Sequence, residues 1–338
     1  MQYNKIFQSR NLWMGIAILW IMLFHSGFNI PIVNYIKAIG YGGVDIFLFA
    51  SGVGCYFSLK HDSNNFNFIK RRMKRILPTY FTFLIFWFLY KILVDSITLK
   101  EMLANIFCVG WMIGLENQFN WYINGIWILY ILTPFLFSFI SQKSQKKAGI
   151  VILIMLLVSI PFWNTTTLML VTRLPIYFIG IYFASQSEKS TELSIREFIV
   201  SILLMCFGFI ILFLFLVSFD SNSIWKYGLW WYPFIFITPG ICLSISFIAD
   251  YSHNKICEIV KQVISFIGKY TFEIYLVHIS VYDIFGRLIQ TETMKSNNFN
   301  WLVASLIVIF LSFLLVKCTK IVIRIFRRLI MHSYCNCN

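Results

Sequence analysis

Charge is what this chain has least of. Asp, Glu, Lys and Arg make up 12% of its 338 residues, against roughly 25% in an average soluble domain. Carboxylates are scarcer still, 14 against 28 Lys and Arg. A soluble fold that is 59% hydrophobic, with 36 Phe, would lack the polar side chains to cover its surface. With a mean hydropathy of +0.75, this is the composition of an integral membrane protein. Local chemical signatures are also missing. There is no Walker loop, dinucleotide fingerprint, His-Glu-x-x-His helix or serine elbow. Nothing therefore points to ATP hydrolysis, zinc or nucleic-acid chemistry. Most of the eight cysteines stand alone in apolar segments. The Cys335-Asn-Cys337 pair has no second pair at zinc-finger spacing, so no metal site is expected. The first apolar run lacks a small-residue cleavage site and reads as a retained helix. No linker, low-complexity stretch or repeat divides the chain, so 1–338 reads as one domain.

Long apolar runs are what it does have. Segments of the roughly twenty residues needed to cross a bilayer fall near 11–32, 40–59, 78–97, 121–140, 148–163, 168–186, 197–219, 229–249, 263–285 and 300–317. The expected fold is an all-α integral membrane bundle of about ten transmembrane helices, with N- and C-termini cytoplasmic. The amphipathic stretch 98–118, broken by Gly110 and Gly114, reads as an outer-face or re-entrant element rather than an eleventh span. Charge sets the orientation. With ten spans, Lys5, Arg10, the 60–75 cluster, Lys143, Lys146, Lys147, Lys189, Arg196, Lys255, Lys261 and the 317–328 cluster all face the cytoplasm. Only Lys37, Lys91, Lys100, Arg173, Lys226, Arg287 and Lys295 fall outside, with Lys269 inside the ninth span. This is a positive-inside pattern, and an eleventh span would throw Lys143, Lys146 and Lys147 to the wrong side. The net charge of +14 then reflects loops facing anionic lipid, not a nucleic-acid partner. A multi-pass protein of a bacterial-type plasma membrane is the expected setting.

Ionisable residues in such segments are functional candidates by default, because burying them is costly. His25 closes the run Asn11 to Phe28; its bland alternative is an interfacial histidine. Asp45 lies on the same outer side, in the glycine-rich opening of the second span, either as an interfacial carboxylate or to orient a histidine. Lys70, Arg71, Arg72, Lys74 and Arg75 precede Pro78, which is expected to open the third span. Lipid anchoring accounts for part of that run, and guanidinium forks also suit a phosphorylated cosubstrate. Arg173, near an outer helix end beside Pro175, either snorkels to the surface or serves the site. Lys269 and Glu273, four residues apart in the ninth span, would neutralise each other or act separately. Tyr275 and His278 share a helix face there.

In this order the segments GIAILWIMLFH, GYGGVDIFLFASG, RRMKRILPTYF, WYINGIWILYILTP, RLPIYFIGIYFA and YTFEIYLVH resemble acyltransferase family 3, integral membrane acyltransferases that use acyl-CoA. The resemblance implies a membrane acyltransferase, with O-acetyl transfer from acetyl-CoA or another acyl-CoA to a glycan or lipid-linked acceptor as the expected reaction. It implies His25 as base or acyl carrier with Asp45 behind it. It further implies phosphate contacts from Arg10, Arg71, Arg72 and Arg75, and substrate contacts from Trp121, Tyr130, Arg173, Glu273, Tyr275 and His278. Two departures stand out. The family's arginine eleven residues before the histidine is Met14 here, with Arg10 one turn earlier as its stand-in, and a frequent glutamate is replaced by Ile126. The alternative reading is a transporter or flippase using a membrane His/Asp/Glu relay.

Overall fold

A computed structural model describes residues 1–116, 119, 121–141, 145–252 and 254–335; Lys143 and Cys337 lie outside the described residues. The helices are α1 Tyr3–Gln8, α2 Arg10–His25, α3 Pro31–Ala38, α4 Gly43–His61, α5 Asn65–Val94, α6 Leu99–Ile106, α7 Trp121–Ser141 and α8 Gln145–Ser159. They continue with α9 Leu168–Val171, α10 Leu174–Gln186, α11 Ile195–Ser218, α12 Ser221–Tyr227, α13 Phe234–Tyr251, α14 Lys255–Lys269, α15 Thr271–Gln290 and α16 Asn298–Cys335. No strand occurs among the described residues; Gln2 and Glu192 form one isolated bridge.

Among the described residues, seven helical segments are long and apolar enough to cross a membrane: Gly40–His61, Asn65–Val94, Trp121–Ile140, Leu168–Gln186, Ile195–Ser218, Phe234–Tyr251 and Asn298–Ile325. Arg10–His25 and Ala148–Phe162 are shorter apolar helices. α15 has twenty residues but carries Glu273, Asp283 and Arg287 and is not among the seven.

Burial sorts these helices into an inner and an outer set. In α4, 78% of the apolar window is buried, against 11% in α11. α11 touches the rest through its Gly208 and Leu212 face, and Leu203, Phe213 and Val217 look outward, as a lipid-facing helix should. The inner helices meet backbone to backbone at glycines. A Cβ on Gly52 would lie 2.3 Å from the Tyr177 carbonyl oxygen, and one on Gly180 2.2 Å from that of Phe49, which locks α4 against α10. Gly268 and Gly15 do the same for α14 and α2, with Asn11 and Ile264 carbonyls 1.8 and 2.0 Å from the added atoms. Small residues serve this purpose in membrane bundles, where no hydrophobic force separates helix from lipid.

Several boundaries differ from the sequence expectation. The first run ends at His25, because Ser26 turns to φ −80°, ψ 160°, and 31–38 is a separate helix. Pro78 does not open the third span; α5 starts at Asn65, capped by the Asn64 side chain, and passes through Pro78. The basic run is therefore itself helical. The sixth run breaks at Arg173, with Pro175 in the first turn of α10. The ninth breaks at Tyr270 (φ −112°, ψ 18°), so 263–269 belongs to α14 and only 271–285 to α15. In 98–118, a capping box of Thr98 and Glu101 starts α6, which stops at Ile106. Eight residues rise about 12 Å, too little to cross.

Chain-distant contacts define two ends. At one, Lys5 pairs with Asp250, Lys60 with Glu188 and Arg71 with Asp62, and the Met1 ammonium donates to the Leu193 carbonyl. At the other, Asn29 bonds Asn298 and Arg287 pairs with Asp95.

Candidate active site

A basic cavity opens near the first of these ends, between α2, α4, α5, α7 and α15. Its volume is about 100 Å³ measured to water centres, and Arg10, Arg72, Arg75, Lys269, Glu273 and Tyr275 are among its walls. A few waters would fill it. Helical phase divides the basic run. Arg72 and Arg75, three residues apart, share the cavity face. Arg71, 100° away, turns to the end of α4. There its Nη1 pairs with Asp62 at 2.5 Å and its Nη2 donates to the Ser58 carbonyl at 3.0 Å. The Asn64 backbone N–H, and then the Arg71 guanidinium, hold Asp62 below the ordinary carboxylate range.

Arg72 is held away from solvent. It is 8% exposed, donates to the Gly54 carbonyl at 3.0 Å and lies over the rings of Phe68 and Tyr130 at 5.1 and 5.5 Å. Its Nε has no hydrogen-bond partner among the described residues. Arg10 donates Nε to the Ala50 carbonyl at 2.9 Å. Met14, 8% exposed, lines the same cavity, so positions 10 and 14 face one space. Lys269 and Glu273 also face it, and no ion pair within 4 Å joins them among the described residues. The break at Tyr270 accounts for this, since it puts the two on different helices. Glu273 consequently sits in the first turn of α15, where the helix N-terminus favours a carboxylate.

From the cavity, one line of rings leads away along α15. Tyr275 is a wall of the cavity, and its ring lies 5.3 Å from that of His278. The His278 ring is in turn 5.3 Å from that of His25. Tyr122, 4.9 Å from Tyr275, thickens the same line. His25 is the last residue of α2 and is exposed, while His278 behind it is 0% exposed.

Asp45 is paired elsewhere. Its Oδ1 lies 3.4 Å from Arg173 Nε, and both side chains are 2% exposed. No ion pair within 4 Å joins Asp45 to His25 among the described residues, which corrects the expectation that this carboxylate orients that histidine. Arg173 does not snorkel: it is sandwiched between Trp121 at 5.1 Å and Trp231 at 4.9 Å and donates to the Met169 carbonyl at 2.9 Å. The break between α9 and α10 points it inward. Tyr41 and Trp231 were missed in the sequence. Tyr41 packs on Phe24, the neighbour of His25, and its buried hydroxyl has no hydrogen-bond partner among the described residues. An aromatic residue inside an apolar, aromatic-rich chain carries no signal of its own.

The arrangement sets a cluster of cationic side chains at one end of these helices and an exposed histidine further along α2. Comparison with known proteins adds one match. The family model described as an acyltransferase domain, of acyltransferase family 3, matches residues 11–317. No curated protein and no solved structure matches the chain.

Proposed function

Because the chain belongs to acyltransferase family 3, we propose that it transfers an acyl group, most simply acetyl, from acyl-CoA to a hydroxyl of a glycan or cell-envelope acceptor. In this reading it is a ten-span protein of a bacterial-type plasma membrane, with both termini cytoplasmic and the basic cavity on that side. The observation that supports it is the line of packed rings, Tyr275, His278 and His25, that runs from the wall of the basic cavity to the end of α2.

Arg10, Arg72, Arg75 and Lys269 hold the phosphates of the cosubstrate by charge-assisted bonds. Arg71 is left out of that set, being tied to Asp62. The helices α2 and α15 guide the thioester arm outward; from Arg10 to His25 the rise is about 22 Å. His25 takes the proton of the acceptor hydroxyl as the oxygen attacks the thioester carbonyl, then returns it to the departing thiolate. Asp45, Arg173, Trp121 and Trp231 shape the acceptor side, where rings and paired charges suit a hydroxyl-rich substrate.

The test is turnover of acetyl-CoA by the purified protein in detergent, with thiol release and acyl transfer both followed. Wild type should release CoA, and His25→Ala should lose at least about 10²-fold while remaining monodisperse. Undiminished turnover by His25→Ala would sink the mechanism. A transporter would instead move its cargo without releasing CoA, so the same assay separates that alternative.

A further inference from the structure

His278 lies midway along α15, one turn beyond Tyr275, at 0% exposure. Its Nδ1 is 2.7 Å from the Tyr275 carbonyl oxygen. A carbonyl can only accept, so Nδ1 carries the hydrogen and a neutral ring presents a bare lone pair at Nε2. That Nε2 is buried and has no partner among the described residues. Leaving a buried acceptor unpaired is unfavourable, and such an exception in a fold asks for a reason.

The neighbouring rings supply one. Tyr282 meets His278 edge-on at 6.2 Å, but its hydroxyl is engaged with Ser305 at 2.8 Å. His25 lies 5.3 Å away at 57°, with a ring N–H to offer. Rotation of the exposed His25 side chain, or a single water, closes the remaining gap.

We propose that His278 is the positioning partner of His25: its Nε2 accepts the N–H of one His25 nitrogen and so keeps the other nitrogen free to act as base. This rests on the acyltransferase reading, in which His25 takes the acceptor proton. The acceptor O–H bond breaks as its proton passes to His25, the new C–O bond forms, and the C–S bond breaks. The thiolate then takes the proton from the His25 imidazolium. His278 gains and loses no proton; its hydrogen bond becomes charge-assisted while His25 is cationic. It fills the orienting place that an aspartate holds in hydrolase triads, and that Asp45, paired with Arg173, does not fill here.

The experiment is nitrogen-15 NMR of histidine-labelled full-length protein in detergent, its five histidines assigned by single replacements. The expected wild-type spectrum shows His278 protonated on Nδ1 and His25 held in one neutral tautomer. His278→Phe, which keeps the ring volume but has no lone pair, should convert His25 to a mixture of tautomers. It should also lower kcat on the order of 10²-fold, with KM for acetyl-CoA within about twofold, and His278→Asn should recover part of the loss through its amide oxygen. Unchanged His25 signals or an unchanged kcat in His278→Phe would overturn the proposal. If that variant fails to fold, the wild-type spectrum decides, since His278 protonated on Nε2 is incompatible with it. A His25 tautomer that responds to His278→Phe in a protein that never turns over acetyl-CoA would uphold the pairing and defeat the acyltransferase reading.

Discussion

Arg71 and Arg72 are chain neighbours with opposite tasks. Arg72 lines the cavity and stacks on Tyr130, whereas Arg71 closes the end of α4 through Asp62 and Ser58. Arg72→Gln and Arg75→Gln should therefore raise KM for acetyl-CoA on the order of tenfold each, as expected for loss of a charge-assisted phosphate contact. Arg71→Gln should leave KM within about twofold and lower thermal stability instead. Saturation kinetics on the three variants checks this, and equal effects would show that the cavity is not the phosphate site. Arg10→Ala should likewise raise KM, and Met14→Arg should restore it, because both positions face the same space. A silent Arg10→Ala would reduce Arg10 to a membrane-boundary residue. The existence of a basic cluster was legible in the sequence, since it needs only counting. Its division was not. Helix phase separates Arg71 from Arg72, and phase follows from where α5 begins, which Pro78 obscured. The misplacement of Asp45 has a similar cause: His25 and Asp45 lie on the same side, yet the break at Arg173 that carries the guanidinium to Asp45 leaves no trace in hydropathy.

Between elements, the decisive contacts are backbone contacts. α14 approaches α2 so closely that a methyl at Gly268 would overlap the Asn11 carbonyl, at 1.8 Å. Gly268→Ala should push α14 away, displacing Lys269 from the cavity. The expected outcome is a loss of about 1–3 kcal/mol, typical of overpacking, together with a higher KM for acetyl-CoA. Gly286→Ala provides the control, because nothing lies within 4 Å of the added atom; it should be neutral or stabilise by up to about 1 kcal/mol, as glycine is unfavourable within helices. Thermal unfolding of both in one detergent decides, and equal stability would mean that α2 and α14 are not in backbone contact. The close-packing role of glycines in 40–54 was readable from their density. Gly268 was not, because its partner helix is 250 residues away in the chain and no local pattern names it. The ninth run looked continuous for a related reason: an apolar stretch has the same composition whether it is one straight helix or two meeting at Tyr270.

For the whole molecule, the two ends differ in charge and in chemistry. The end that holds Lys5, Lys60 and Arg71 also holds the basic cavity, while His25 lies toward the opposite end with Asn29 and Asn298. The expected orientation of these ends rests on positive-inside bias, which depends on loop composition alone, without knowledge of packing. It makes the proposed reaction vectorial, with acyl-CoA entering from one side and the acceptor from the other. Acetyl-CoA is a multiply charged molecule that does not cross a bilayer unaided, so sealed vesicles report which side is used. Inside-out vesicles given external acetyl-CoA should release CoA, whereas right-side-out vesicles should do so only after permeabilisation. Topology is read in the same preparations, with the eight native cysteines replaced. A cysteine at Asn297 should react with an impermeant thiol reagent in right-side-out vesicles, and one at Ser63 only in inside-out vesicles. If the two cysteines label from opposite sides but acetyl-CoA works equally from both, the cavity is not the entry port. If they label from the same side, an even number of crossings lies between them instead of the odd number that the proposed arrangement requires, and the ten-span orientation fails with it.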